Sequence, residues 1–351
     1  VSRAAGRRAP DTGPRRPAAR GDNEGVTSTV PDPPAPPPNR RPPPAPGALR
    51  PCLPSPLQEI EDAPFARRGI RLLLKRDDLI HPDLPGNKWR KLAPNLRAAA
   101  AAGDRTLLTF GGAYSNHLRA TAAAGRLLGF ATIGVVRGEE LAGAPLNPSL
   151  ARCAADGMRL HFLDRAGYRR KDGPEVLGAL RDRFGAFRLI PEGGSNSLAA
   201  QGCTELGREL RGAAGTVAVA CGTGGTLAGL AAGLGPGQRA LGFPVLKGGR
   251  PHFLQEAVER LQHAAFGGPR GDWRLADRFH CGGYARRTPE LDAFADAFEA
   301  RHGLPLERLY VAKMLLGLTT LADEGAFAPG STIAAVITGT PDPEPCPGPG
   351  R

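Results

Sequence analysis

Between residues 57 and 339, short apolar runs alternate with longer stretches whose apolar residues recur at helical spacing. The short runs predict strands over 69–76, 105–110, 131–136, 159–163, 186–190, 216–220, 240–245 and 332–338. The longer stretches predict helices over 88–102, 118–128, 149–155, 174–184, 199–211, 252–265, 291–301 and 314–323, with another following residue 226. Strand and helix take turns with short links. This implies right-handed crossovers and an α/β fold of parallel sheets flanked by helices.

Both ends break the pattern. Residues 1–56 are rich in Pro, Arg and Ala, with runs such as Pro36-Pro37-Pro38 and Pro42-Pro43-Pro44. Such a segment buries too little apolar surface to offset its ordering entropy, so a disordered tail is expected there. Fraying is expected in the Pro- and Gly-rich stretch 341–351. With 351 residues, 41% of them hydrophobic, the chain is long enough for two domains.

The net charge of +12 raises the question of a nucleic-acid partner. None is expected, because the arginines are scattered and no zinc finger, RNP-like strand or basic-aromatic repeat accompanies them. Six cysteines without a CxxC pair point to reduced, structural thiols. Seven histidines without an HExxH spacing point to no metal. Residues 213–234 carry no charge and are long enough to cross a bilayer, but six of them are glycines. A strand, a glycine turn and a helix in series are expected there, and no membrane span.

The candidate chemistry starts at Leu84-Pro85-Gly86-Asn87-Lys88-Trp89-Arg90-Lys91. Pro85 and Gly86 make a turn and Asn87 is a good N-cap, which puts Lys88 in the first turn of a helix. There the positive helix end and the neighbours Arg90 and Lys91 disfavour a charged ammonium, as a Schiff-base lysine requires. Gly222-Thr223-Gly224-Gly225-Thr226 lies between a strand and a helix, where backbone N–H groups and hydroxyls suit a phosphate. It matches neither GxxxxGK[ST] nor GxGxxG, which leaves a small phosphate-bearing cofactor. Ser115-Asn116-His117 follows a strand and a glycine pair, at the carboxyl edge where open α/β sheets bind ligands. Ser115 also suits a helix N-cap. Tyr284 and Tyr310 could serve as acid or base if a nearby cation lowered their pKa. No GxSxG elbow or hydrolase triad is present.

Five blocks in this order carry a family likeness. They are Lys75-Arg76-Asp77-Asp78, Gly86-Asn87-Lys88 with Arg90-Lys91-Leu92, Gly111-Gly112-Ala113-Tyr114-Ser115-Asn116-His117, Glu192-Gly193-Gly194-Ser195-Asn196, and Tyr310 with Lys313. From residue 57 to about 339 the chain resembles the fold-type II pyridoxal-phosphate enzymes. Within them it is most similar to the 1-aminocyclopropane-1-carboxylate deaminase and D-cysteine desulfhydrase family.

The resemblance implies a tryptophan synthase β-like fold with a large cofactor domain over 57–92 and 191–340 and a small domain over 93–190. It implies that Lys88 forms the Schiff base with pyridoxal 5'-phosphate, while Asn87 or Asn116 bonds the cofactor's phenolic oxygen. Gly222, Thr223, Gly224, Gly225 and Thr226 would cradle the phosphate, and Thr338 would sit near the pyridine nitrogen. Ser115, Asn116 and His117 would hold the substrate, Ser115 doubling as a proton carrier, with Tyr284 and Tyr310 facing it. The implied activity is a lyase or deaminase acting on a small amino acid, of D-cysteine desulfhydrase type. A cyclopropane deaminase and a cofactor-binding protein without turnover are the alternatives. A homodimer is also implied, while a cytoplasmic location is expected from the reduced thiols and the lack of a secretory signal, with no membrane partner.

Three positions depart from the family pattern. Val311 stands where the deaminases carry Glu and the desulfhydrases Thr, Thr338-Gly339-Thr340 replaces Thr-Gly-Gly, and Tyr114 replaces a Gln.

Overall fold

The chain opens with β1 (Leu57–Ile60), the short helix α1 (Ala63–Ala66) and β2 (Arg71–Lys75). The middle section comprises α2 (Lys88–Ala101), β3 (Thr106–Gly111), α3 (Asn116–Leu128), β4 (Ala131–Arg137) and α4 (Pro148–Ala155). It continues through β5 (Met158–Leu163), α5 (Arg165–Arg169), α6 (Pro174–Phe184) and β6 (Arg188–Ile190). The chain then runs through α7 (Ser197–Glu209), β7 (Thr216–Cys221), α8 (Gly225–Gly233), β8 (Arg239–Pro244), α9 (Phe253–Phe266) and β9 (Asp272–Leu275). It ends in α10 (Pro289–His302), α11 (Val311–Asp323) and β10 (Thr332–Val336). This computed structural model describes residues 49–84, 86–247 and 252–341; the expectations for 1–48 and 342–351 lie outside the described residues.

Among the described residues the strands form two sheets, one in the order β1-β2-β10-β7-β8-β9 and one in the order β5-β4-β3-β6. All pairings are parallel except β1 with β2, which run antiparallel in the register Leu57↔Lys75. The expected parallel sheets flanked by helices are present, with one antiparallel strand added at an edge. β1 and β9 went unpredicted because both are edge strands with largely exposed side chains, and so lack an apolar run.

Inner strands are buried on both faces, as helix-covered parallel sheets must be. On β2, Leu72 and Leu74 pack with Val311, Leu315 and Leu318 of α11, while Leu73 points the other way against Leu206, Leu227 and Leu230. The glycine-rich stretch folds as β7, a turn and α8, and its glycines let two helices meet. A Cβ on Gly229 would lie 2.1 Å from the Ala200 carbonyl oxygen of α7, so backbone packs on backbone. No described helix is long and apolar enough to cross a membrane.

The expected tail boundary at residue 56 is too late. Leu49 and Leu53 pack on the apolar cluster around Trp89 and Leu92, and Ser55 is buried. Ser55 Oγ donates to Asp77 Oδ1 (2.7 Å), and its carbonyl accepts from Lys75 Nζ (2.6 Å). The low apolar content of the preceding residues concealed these anchors.

Candidate active site

The two sheets aim their carboxyl edges at one cavity of about 250 Å³. Lys88 arrives after β2, Ser115 after β3, Arg137 at the end of β4, Glu192 after β6, Gly222 after β7 and Thr338 after β10. Ligands of open α/β sheets bind at this edge because the strands end there and loops replace the ladder.

Lys88 is the first residue of α2 and lines the cavity, half-buried. Burial, and after it the Lys91 ammonium, lowers its pKa from 10.5 to about 7. The reactive neutral amine expected from the sequence is thus accessible near neutrality. Arg90, the other expected neighbour, is neutralised elsewhere. Asn87 does not cap the helix through its side chain as expected, for its backbone lies at φ −68° and ψ 2°. Instead its Nδ2 donates to Thr226 Oγ1 (3.3 Å), and its N–H donates to the Thr338 carbonyl (3.1 Å).

The base of α2 rests on a buried ionic network made by the first sequence block. Arg90 bonds both oxygens of Asp77 (2.8 Å each) and both of Glu209 on α7 (2.9 Å each). Lys75 Nζ lies 2.6 Å from Glu209 Oε2. Asp77, Arg90 and Lys75 are at most 2% exposed, so every charge here needs its partners.

Lys91 passes beneath the glycine turn. Its Nζ donates to the Gly193 carbonyl and to Ser195 Oγ, both at 2.8 Å, and Ser195 Oγ sits 2.6 Å from Thr223 Oγ1. A Cβ on Gly225 would fall 3.1 Å from Lys91 Nζ and 2.6 Å from Ser195 Oγ. Gly224 turns the chain at φ +81° into α8. The N–H groups of Gly222 through Thr226 have no backbone acceptor among the described residues. They form an open cradle at a helix N-terminus with an ammonium behind it, which suits a phosphate. Sequence reasoning gave Lys91 a charge effect on Lys88 but missed its place under the cradle, since only the fold brings 91 and 193 together.

Across the cavity, Ser115 Oγ caps α3 by accepting from Leu118 N (3.3 Å), leaving the N–H groups of Asn116 and His117 without acceptors among the described residues. Ser115 and Asn116 both line the cavity. His117 is buried, with Nε2 2.9 Å from Thr109 Oγ1 and Nδ1 without a hydrogen-bond partner among the described residues. Burial, then the charges of Lys88 and Lys91, hold its pKa well below 6.5, so the ring is neutral.

Tyr284 and Tyr310 meet edge to face over the cavity, with ring centroids 6.2 Å apart. An acid or base role needs a lowered pKa, and that condition is not met. Burial raises both phenols, Tyr310 well above 10, and the phenols donate hydrogen bonds rather than serve as phenolates. Two residues hold this pair: Lys313, known from the sequence only as part of a family block, and Glu307, which sequence reasoning did not single out. Lys313 is fully buried and donates to the carbonyls of His280 (3.0 Å) and Gly283 (2.8 Å), fixing the loop that carries Tyr284. Glu307 accepts from the N–H groups of Leu309 and Tyr310 (2.8 Å each) at the start of α11. Val311 is fully buried in the apolar core and does not line the cavity.

Residues 50–339 match the pyridoxal-phosphate dependent enzyme family. The chain is 29% identical over 289 residues to the bifunctional D-cysteine desulfhydrase/1-aminocyclopropane-1-carboxylate deaminase, mitochondrial, of Arabidopsis thaliana, which covers 76% of this chain and 71% of the relative. It is 30% identical over 293 residues to a D-cysteine desulfhydrase of Yersinia pestis, covering 77% of this chain and 87% of that protein. The crystal structure of an ACC deaminase homologue superimposes with a TM-score of 0.69 at 27% identity, over 81% of this chain and 89% of that one. The lysine turn, the phosphate cradle and these likenesses agree: the chain belongs to the pyridoxal-phosphate dependent enzymes.

Proposed function

We propose that the chain is a lyase of D-cysteine desulfhydrase type. It converts a small amino acid with a leaving group on the β-carbon into a 2-oxo acid and ammonia. For D-cysteine the balance is D-cysteine and water giving pyruvate, ammonia and hydrogen sulfide. Lys88 carries this reading, as an amine with its pKa lowered to about 7 beside an open phosphate cradle.

The residues fit the cofactor. Gly222 to Thr226, backed by Lys91, would take the phosphate, Lys88 the aldehyde carbon, and Thr338 the ring-nitrogen side. Bound there, pyridoxal phosphate supplies an electron sink for the substrate's α-carbon. The chain's own residues do the rest. The free N–H groups at the start of α3, with Ser115 and Asn116, orient the α-carboxylate. Lys88 takes the α-proton, and Tyr284 and Tyr310 close the far wall and donate hydrogen bonds. Glu192, the one carboxylate among the described lining residues, is held by the Tyr168 hydroxyl (2.8 Å) and Lys171 (3.3 Å). With Val311 buried, no free carboxylate strengthens the sink. This favours β-elimination over opening of a cyclopropane ring. A homodimer and a reducing cytoplasm belong to the same proposal, the latter supported by unpaired thiols at all five described cysteines.

Visible spectra with added cofactor, recorded for wild type and Lys88→Ala before and after D-cysteine, test the reading. A Lys88-dependent band that changes with D-cysteine while sulfide appears supports it. Retained cofactor without turnover of any amino acid would make the chain a binding protein, and absence of a Lys88-dependent band would sink the enzyme reading.

A further inference from the structure

We propose that a second cavity, at the opposite edge of the large sheet from Lys88, binds an α-amino acid with an apolar side chain as an effector. The cavity measures about 580 Å³ and lies at the amino ends of β7 and β8, where Thr216 and Arg239 line it. On one face of β8 and β9, α9 packs through Leu254 and Val258. On the other face Leu241 stays half-buried. Among the described residues only Asp277–Phe279, the end of α11 and the turn into β10 close over it. Leu241, Phe279, Leu321 and Phe327 make the walls apolar.

The charges around these walls are not all committed. Arg239 pairs with Asp272 at 2.7 Å, and Arg278 with Glu324, its guanidinium stacked on the Phe279 ring. Arg274 stands opposite Leu241 in the ladder of β8 and β9, so both side chains face the cavity. It forms no hydrogen bond or ion pair among the described residues. Asp277 also lines the cavity without such a partner, and Ser331 Oγ is buried without one. A free guanidinium, a free carboxylate and an unused hydroxyl beside an apolar wall match the carboxylate, ammonium and side chain of one amino acid. A fatty acid would leave Asp277 unpaired, and a simple amine would leave Arg274 so.

An occupant touches what positions the tyrosine pair of the catalytic cavity. Asp277–Phe279 runs into the loop that carries Tyr284, which Lys313 of α11 holds by two carbonyls. Leu321 lines the second cavity from that same helix, which begins directly after Tyr310. Phe279 packs so closely on α11 that a Cβ on Gly317 would fall 2.8 Å from its ring. A ligand that shifts Phe279 against α11 moves the wall of Tyr284 and Tyr310 with it, so substrate affinity changes.

Calorimetry on the pyridoxal-phosphate-loaded protein tests the site, with L-phenylalanine, 3-phenylpropanoate and phenethylamine added to wild type, Arg274→Gln and Asp277→Asn. L-Phenylalanine should bind wild type and weaken about 10-fold in each variant. 3-Phenylpropanoate should lose affinity only in Arg274→Gln and phenethylamine only in Asp277→Asn, the crossed pattern of two separate contacts. L-Phenylalanine should also change the KM for D-cysteine about 5-fold in wild type but not in Arg274→Gln, whose turnover without it stays at the wild-type level. No binding by wild type, equal binding by all three proteins, or inhibition that persists in Arg274→Gln would overturn the inference, the last by placing the ligand at Lys88. So would a change of oligomeric state in Arg274→Gln, which would assign the cavity to a contact between copies. Failure of the lyase reading looks different: wild type then turns over no D-cysteine, while the calorimetric pattern stands.

Discussion

Asn87 Nδ2 donates to Thr226 Oγ1 across 3.3 Å, joining the turn that presents Lys88 to the glycine turn proposed as the phosphate cradle. Through its N–H, Asn87 also holds the Thr338 carbonyl, so three cavity segments meet at one side chain and its backbone. Removing this contact should loosen the cofactor more than the fold. Asn87→Ala and Thr226→Val are each expected to weaken pyridoxal phosphate binding about 2- to 10-fold, the range of one neutral hydrogen bond. Absorbance titration measures it, and wild-type affinity in both variants would show that the contact contributes nothing.

Lys88 makes the apoprotein sensitive to pH in a defined direction. Its pKa falls from 10.5 to about 7 on folding, so between those values the unfolded chain holds more protons here than the folded one. Stability should rise with pH across that interval on this residue's account, and below about 7 the full cost of the buried ammonium should be present. Lys88→Met should flatten that part of the profile. Urea unfolding of wild type and variant across the interval reads the difference, and parallel profiles would refute the assignment.

Gly86 should tolerate no side chain. It holds φ +60°, and a Cβ there would fall 1.7 Å from the Thr338 carbonyl oxygen. Left-handed backbone alone costs a non-glycine residue about 1–2 kcal/mol, and here backbone must move as well. Gly86→Ala is expected to lose more than about 2 kcal/mol in chemical denaturation and most of its cofactor binding. A variant as stable as wild type would mean that the turn rearranges freely.

Arg90 supports α2 from below and should be costly to remove. Arg90→Met leaves Asp77 and Glu209 buried without their guanidinium, an imbalance worth about 3–5 kcal/mol. The same network should respond to acid. Burial pushes the Glu209 carboxyl up, but hydrogen bonds from Arg90 and Lys75 outweigh it and hold its pKa below 4.5. Its stabilisation is present above 4.5 and lost as pH falls through the lowered value. Glu209→Gln should shift the acid-unfolding midpoint, and an unchanged midpoint would place the acid response elsewhere.

The sequence by itself determined most of the elements and the local chemistry of the site. The 174–184 helix matches α6 residue for residue, and most other elements shift by only a residue or two, because backbone period and burial act within a few neighbouring residues. Lys88, Ser115 and the Gly222 to Thr226 turn were legible as cavity-lining positions for the same reason: each sits on a strand-to-helix turn whose residue types have local causes, whereas Thr338 came only from the family resemblance. Edge strands β1 and β9 were not legible, since an exposed strand needs no apolar run. Nor were the partners of Asn87, the place of Lys91 beneath the cradle, the buried Arg90 network, the hold of Lys313 on the Tyr284 loop, or Arg137 at the cavity. These depend on strand order, which sets β10 between β2 and β7 and so brings residues far apart in the chain to one edge. Only the tertiary structure decided them, because pairing at such separations is fixed by packing of the whole core and leaves no local pattern.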